Sequence, residues 1–353
     1  MTAQISKTWL WFYSLLPLAC FFVFAYPVIR LSNWYSAGDG LSVYHSLLIW
    51  AVSVVAMWYS FSAPKMKIRY LAVHWMGISF VFAVLTLFAE GLRLALPIQD
   101  VLIVQGVLVA GVLGVLFSIL LSHHLSVKRL EIFSRKVSRS YRIAQISDVH
   151  IGSRQGGFMR RIVVRLNALD ADYVVVTGDL IDSSTVDYQA LESIKQVNAP
   201  IFFVIGNHER YADLPKIIDL ADRLGMKTLR QESAIREELV FFGIDDADHK
   251  AQVAKHLPSI NKDPDKFNIL LYHRPVGWES AIEHGIDLML SGHTHNGQIF
   301  PFNFIVKQQY NRISGMYRQG NSHLYVSSGT GTWGPCMRLG SLNEITVFEI
   351  KPK

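Results

Sequence analysis

The sequence predicts two fold classes in one chain: an N-terminal α-helical four-helix transmembrane bundle over 1–125 and an α/β domain over 142–353, joined by a basic linker at 126–141. Three observations predict it. Roughly the first third of the 353 residues is apolar and sparsely charged, in uncharged intervals of membrane-spanning length. The remainder alternates short β-branched runs with helical patterns, the mark of a mainly parallel sheet. Several of those apolar runs end in Asp, Asn or His.

No charge occurs from Thr8 to Ile29, and Asp39 to Lys65, Arg69 to Glu90 and Asp100 to Lys128 bracket three further intervals. Each is near the ~20 residues a helix needs to cross hydrocarbon. Pro17 and Pro27 are tolerable in a membrane helix. A cleaved signal peptide is the rival for the first span, but the span exceeds the ~7–15 apolar residues of a signal core and lacks a clear small-residue cleavage site. Lys7, Lys65, Lys67, Arg69, Lys128, Arg129, Arg135, Lys136 and Arg139 fall on one side of such a bundle, against Arg30 and Arg93 on the other. The positive-inside rule then places both termini and the α/β domain in the cytoplasm, at the inner membrane if the source is bacterial.

Within the spans, His45 and His74 are expected to be hydrogen-bonded between helices rather than to carry protons or metal. Gly106, Ala110 and Gly114 recur every four residues and would admit a close neighbour helix. His123 and His124 fall at headgroup level. The next stretch, Ser126 to Tyr141, reads either as a surface helix through Val127, Leu130, Phe133 and Val137 or as an edge strand; alternation of Leu130 and Ile132 with charges favours the strand. In either form it presses the soluble domain toward anionic headgroups.

The formal charge of +6 does not indicate nucleic acid, because many of the cations flank apolar spans and no basic stripe is interleaved with aromatics. Cys20 and Cys336 are the two cysteines, too few for a disulfide framework or a Cys-type zinc site.

In the α/β half, helices are expected over Phe158 to Leu169, Val186 to Val197 and Leu214 to Leu224, and two strands within 226–245. Two sheets packed face to face with helices outside accommodate this inventory. Five apolar runs deliver chemistry at their carboxyl ends. Ile143–Ser147 leads to Asp148 and His150, Tyr173–Thr177 to Asp179, Ile201–Ile205 to Asn207 and His208, Phe267–Tyr272 to His273, and Asp287–Ser291 to His293 and His295. Ligands bind at that end of strands in open α/β sheets. A single Asx or His there is usually a turn residue; five in succession point to two divalent ions about 3.5–4 Å apart, which clamp the attacking and leaving oxygens of a displacement at phosphorus. The mixed N/O set suits Mn, Fe or Zn. His208, beside a ligand, is left as a general acid or transition-state donor.

In their order, Asp148-x-His150, Gly178-Asp179, Gly206-Asn207-His208-Glu209, His273 and Gly292-His293-x-His295 resemble the calcineurin-like metallophosphoesterases over about 142–350. Tyr325 to Pro335, following Gly297-Gln298, looks like the bacterial membrane-associated branch, which includes lipid-directed members. Asn296, where that branch usually has glycine, and Arg274, between His273 and Pro275, are departures that remove no ligand. The resemblance implies a four-layer α/β/β/α sandwich holding two divalent metal ions. Asp148, His150 and His295 would hold one ion, Asn207, His273 and His293 the other, with Asp179 bridging and His208 catalytic. It also implies hydrolysis of a phosphoester or pyrophosphate by direct attack of a metal-bridging hydroxide. Tethering suggests a phosphorylated, lipid-linked substrate at the cytoplasmic face of the lipid bilayer, such as UDP-2,3-diacylglucosamine. Arg154, Arg160 and Arg161 read as phosphate binders or as a solvated helix face. The alternative is a membrane scaffold or receptor that binds a phosphorylated ligand without turnover. Transport is disfavoured by the scarcity of intramembrane charge.

Overall fold

The computed structural model describes residues 15–62, 66–154, 156–182, 186–260 and 262–353. The chain forms two compact units, Met1–Ile119 and Leu120–Lys353. Four helices, α1 (Leu15–Tyr35), α2 (Val43–Ser62), α3 (Met66–Ala95) and α4 (Asp100–His123), are each long and apolar enough to cross a membrane. They overlap the four uncharged intervals, with α1 running on past Arg30 and α3 taking in Arg69, Glu90 and Arg93 at its ends. Of the charges used to orient them, Lys7 and Lys65 lie outside the described residues, as does the start of the first interval, Thr8 to Ser14.

Helix α1 widens into a π-turn at Phe21–Ala25, between its two prolines. Trp50 Nε1 of α2 donates to Pro17 O at 2.8 Å, a neighbouring helix satisfying a carbonyl near the irregularity. His45 Nδ1 lies 2.8 Å from Ser42 Oγ and His74 Nδ1 2.7 Å from Tyr70 O. The first contact is with the residue just before α2 and the second with the preceding turn of α3. In the small-residue row, Gly114 packs beside Val81 while Gly106 faces open space. The closest approach is instead at Gly111, where a Cβ would stand 2.3 Å from the Phe82 ring. Arg30 pairs with Glu90, and Arg93 Nε with Asp100 Oδ1 at 2.8 Å, so the two cations on the sparsely charged side are neutralised.

The second unit holds two six-stranded sheets. The first has the order β1 (Leu125–Ser134), β12 (Asn343–Pro352), β2 (Tyr141–Ile146), β3 (Tyr173–Thr177), β4 (Ile201–Val204), β5 (Met226–Thr228). The second runs β10 (Gly315–Gln319), β11 (Ser322–Val326), β9 (Leu288–Ser291), β8 (Phe267–Leu271), β7 (Leu239–Gly243), β6 (Glu232–Arg236). Strands β2 to β5 are mutually parallel, as are β7, β8, β9 and β11.

Strand alternation sorts side chains into three cores. Ile143, Val175, Phe202 and Val204 meet Phe241, Ile269 and Leu290 between the sheets. Ala144, Val174, Val176 and Phe203 face outward onto Ile162 and Leu166 of helix α5 (Gly156–Asn167) and Ile217. On the far side Val240, Phe242, Leu270 and Met289 pack against Val253 and Trp278. The result is the four-layer α/β/β/α arrangement.

Three strands, not two, occupy 226–245, because the tight Glu237-Glu238 turn folds the segment into the β6–β7 hairpin. The helix expected over Val186 to Val197 shortens to Tyr188–Leu191 followed by a 3₁₀ stretch, Glu192–Gln196. The basic segment after α4 takes the edge-strand form. β1 runs parallel to β12 from Leu125–Asn343 to Ser134–Pro352, and Lys128 and Arg129 pair with Glu344 and Glu349 across it.

Candidate metal centre

The carboxyl ends of β2, β3 and β4 in one sheet and of β8 and β9 in the other deliver their polar residues to one largely buried cluster. All eight sequence-predicted site residues reach it. Asp148, His150 and His295 place one ligand atom each within 4.8 Å of one another, and so do Asp179, His273 and His293. Asn207 Oδ1 lies 3.2 Å from His273 Nε2, at the second cluster. Asp179 stands between the clusters: its Oδ2 is 3.2 Å from His273 Nε2 and 3.9 Å from His150 Nε2, while its Oδ1 accepts from His208 N at 2.9 Å.

Local backbone holds this geometry at a cost. Asp148, His150, Asp179, His293 and His295 all have φ between 49° and 73°, the left-handed region that L-residues seldom adopt. Asn296 shares it at φ 51°, a conformation that asparagine enters more readily than most residues with a side chain. Gly206 is required by contact: a Cβ on it would stand 2.2 Å from Asp179 Oδ1.

Sequence reasoning left three functional residues unassigned. Asp182 Oδ1 lies 2.5 Å from His150 Nδ1 and 3.1 Å from His208 Nδ1, joining the two rings through one carboxylate. Both contacts are made through Nδ1, and His150 Nε2 turns to His295 Nε2. Glu209, fully buried, accepts from the backbone N–H groups of Gly206, Asp179, Leu180 and Ile181 and so ties the β3 turn to the β4 turn. Arg338, also fully buried, donates to His295 O, Ser328 O and Gly331 O, locking the loop after β11 against the second histidine pair. The capping spacing Gly206-x-x-Glu209 was a usable signal for Glu209.

The electrostatics call for cations. Burial raises the Asp148 pKa, with only partial relief from His273 and His150. Burial also acts on Asp179, but His273, His208 and His150 hold it well below the usual range. Burial lowers His150 and His273, yet Asp182 beside the first and Asp179 beside the second bring them to about 9 and about 10. His293 and His295 are kept neutral by burial and by neighbouring His273 and His150. Nitrogens also converge: His150 Nε2 is 3.0 Å from His295 Nε2, and His293 Nδ1 is 3.1 Å from His273 Nε2. Imidazole nitrogens and carboxylate oxygens focused on shared points fit divalent transition ions and leave the choice among them open.

A four-layer sandwich with paired Asp/His clusters at its strand ends defines the class of dinuclear metal proteins. Residues 141–297 match the family model for calcineurin-like phosphoesterases. An uncharacterized metallophosphoesterase of Aquifex aeolicus is 32% identical over 67% of this chain and 96% of its own length. The chain belongs to the calcineurin-like phosphoesterase family. Another such protein, from Helicobacter pylori, is 34% identical over 64% of each chain, so the match spans a little under two thirds of that relative. A Bos taurus protein described as a transmembrane protein with metallophosphoesterase domain is 34% identical over 59% of this chain and 52% of its own length.

Proposed function

We propose that the chain is a membrane-associated, dinuclear-metal phosphoesterase. Asp148, His150 and His295 would hold one divalent ion and Asn207, His273 and His293 the other, with Asp179 shared. The observation that carries this reading is the position of Asp179, within 4 Å of histidines from both clusters. Bound ions supply Lewis-acid activation of water and neutralise charge developing at phosphorus. The protein's own part is positional. Asp182 fixes His208 through Nδ1, so that His208 Nε2 can give a proton to the leaving oxygen. Trp333, half exposed, lies 6.3 Å from the His208 ring and closes one wall beside it.

The substrate reading is a phosphoester or pyrophosphate on a lipid at the cytoplasmic face, with UDP-2,3-diacylglucosamine as one instance. It is supported by the four membrane-capable helices, by the single residue His124 between α4 and β1, and by the transmembrane description of the Bos taurus relative. Of the arginines after the first motif, Arg154 is buried and donates to Ser122 O. The test supplies Mn, Fe, Zn or Mg to the purified full chain and compares lipid-linked pyrophosphates with water-soluble diesters. Turnover lost in both Asn207→Ala and His208→Ala supports hydrolysis. No turnover with any metal, together with partner binding that survives both substitutions, establishes the scaffold instead.

A further inference from the structure

Helix α5 buries Ile162, Val163 and Leu166 against the first sheet and turns Arg160, Arg161, Val164 and Arg165 to solvent. These four side chains, with His123 and His124, line a 370 Å³ cavity. None of the metal-cluster residues belongs to it. Arg161 Nη2 donates to His123 O at 2.6 Å, which fixes the cavity floor to the last turn of α4. Among the described residues no carboxylate pairs with Arg160, Arg161 or Arg165, whereas Arg139, Arg142, Arg210, Arg230 and Arg274 of the same unit each face one. Three guanidinium groups within two turns of one helix repel each other unless an anion lies between them. Their planar forks match phosphate oxygens in pairs.

We propose that this cavity binds the phosphate of an anionic bilayer lipid, with Val164 against the glycerol and ester region. The chemistry is that of any phosphate, but two features select the lipid. Val164 is an apolar side chain 69% exposed in the middle of the basic face. The cavity is also built on the end of α4, the helix with the highest hydropathy of the four, 2.5, so it stands where the chain leaves hydrocarbon. The proposal rests on the membrane association of the helices and not on hydrolysis.

The full chain in neutral detergent is titrated with short-chain phosphatidylglycerol, phosphatidylcholine and inorganic phosphate, with bound lipid counted by native mass spectrometry and metal content measured in parallel. Saturable phosphatidylglycerol binding is expected, weakened at least about tenfold in R160Q/R161Q/R165Q, retained in the corresponding lysine variant, and accompanied by unchanged metal stoichiometry. The double variant R160Q/R165Q, which spares the Arg161 bond to His123, serves if the triple variant does not fold. Equal binding of phosphatidylcholine, equal binding of inorganic phosphate, or binding unaffected by these substitutions overturns the proposal. Because binding is scored without turnover, an inactive but lipid-binding protein would leave this inference standing while removing the phosphoesterase one.

Discussion

At the scale of single residues the centre depends as much on groups that hold its ligands as on the ligands themselves. Asp182 touches both His150 and His208, so its charge sets the tautomer of the proposed metal ligand and of the proposed proton donor together. Asp182→Asn keeps the shape and removes the charge. It is expected to lower kcat on a soluble phosphodiester by about ten- to a hundredfold and to weaken metal binding, measured by steady-state kinetics across a metal titration. Glu209 gathers four buried N–H groups from two turns. Glu209→Gln turns one oxygen into a donor facing donors, and a loss of about 3 kcal/mol in unfolding free energy is expected from chemical denaturation. The residues of the two clusters were legible in sequence because each follows an apolar run that must be a buried strand, and strand ends converge in this architecture. Asp182 and Arg338 were not. Asp182 lies 32 residues from His150 and Arg338 lies 43 from His295, and contacts at such separations leave no periodic trace.

Among elements, β1 shows how a segment of double reading is decided. Its apolar positions fit a surface helix as well as a strand, and the outcome follows from β12, whose ten residues offer a free parallel edge and two carboxylates for Lys128 and Arg129. Helix α5 was legible from its spacing, and so were the parallel strands; the β6–β7 hairpin was not, since Glu237-Glu238 carries none of the Gly or Asn expected of a tight turn. Where the segment after β1 turns into β2, Tyr141 donates to Glu237 Oε2 and Glu238 Oε2 of that hairpin. Burial and these carboxylates push its pKa from 10.0 up to about 12. The folded state therefore holds this proton more tightly than the unfolded chain. The resulting stability is complete below pH 10 and is lost as pH rises to 12. Denaturation midpoints between pH 9 and 12 should fall for the wild type and fall less steeply for Tyr141→Phe; parallel slopes would remove Tyr141 as the cause.

For the whole molecule, the two units answer to different forces, and metal removal should separate them. The helical unit is held by apolar packing such as Trp34 with Ile103 and Val107, which no chelator affects. In the second unit Asp148, Asp179 and Glu209 are buried close together, and without cations their charges oppose one another. Any ion that binds only the folded state stabilises it by mass action, about 2.7 kcal/mol at a hundredfold excess over Kd. For a unit of this size each 1 kcal/mol moves the midpoint by about 2–4 °C. Chelation of the full chain should therefore lower the melting of the α/β unit by about 5–10 °C. The helical circular dichroism of the other unit should be unchanged. Asp179→Asn removes the shared carboxylate, so its midpoint should respond less to chelator than that of the wild type. A wild-type midpoint indifferent to chelation, in protein shown by elemental analysis to contain metal beforehand, would mean that the clusters do not hold their ions in the folded state.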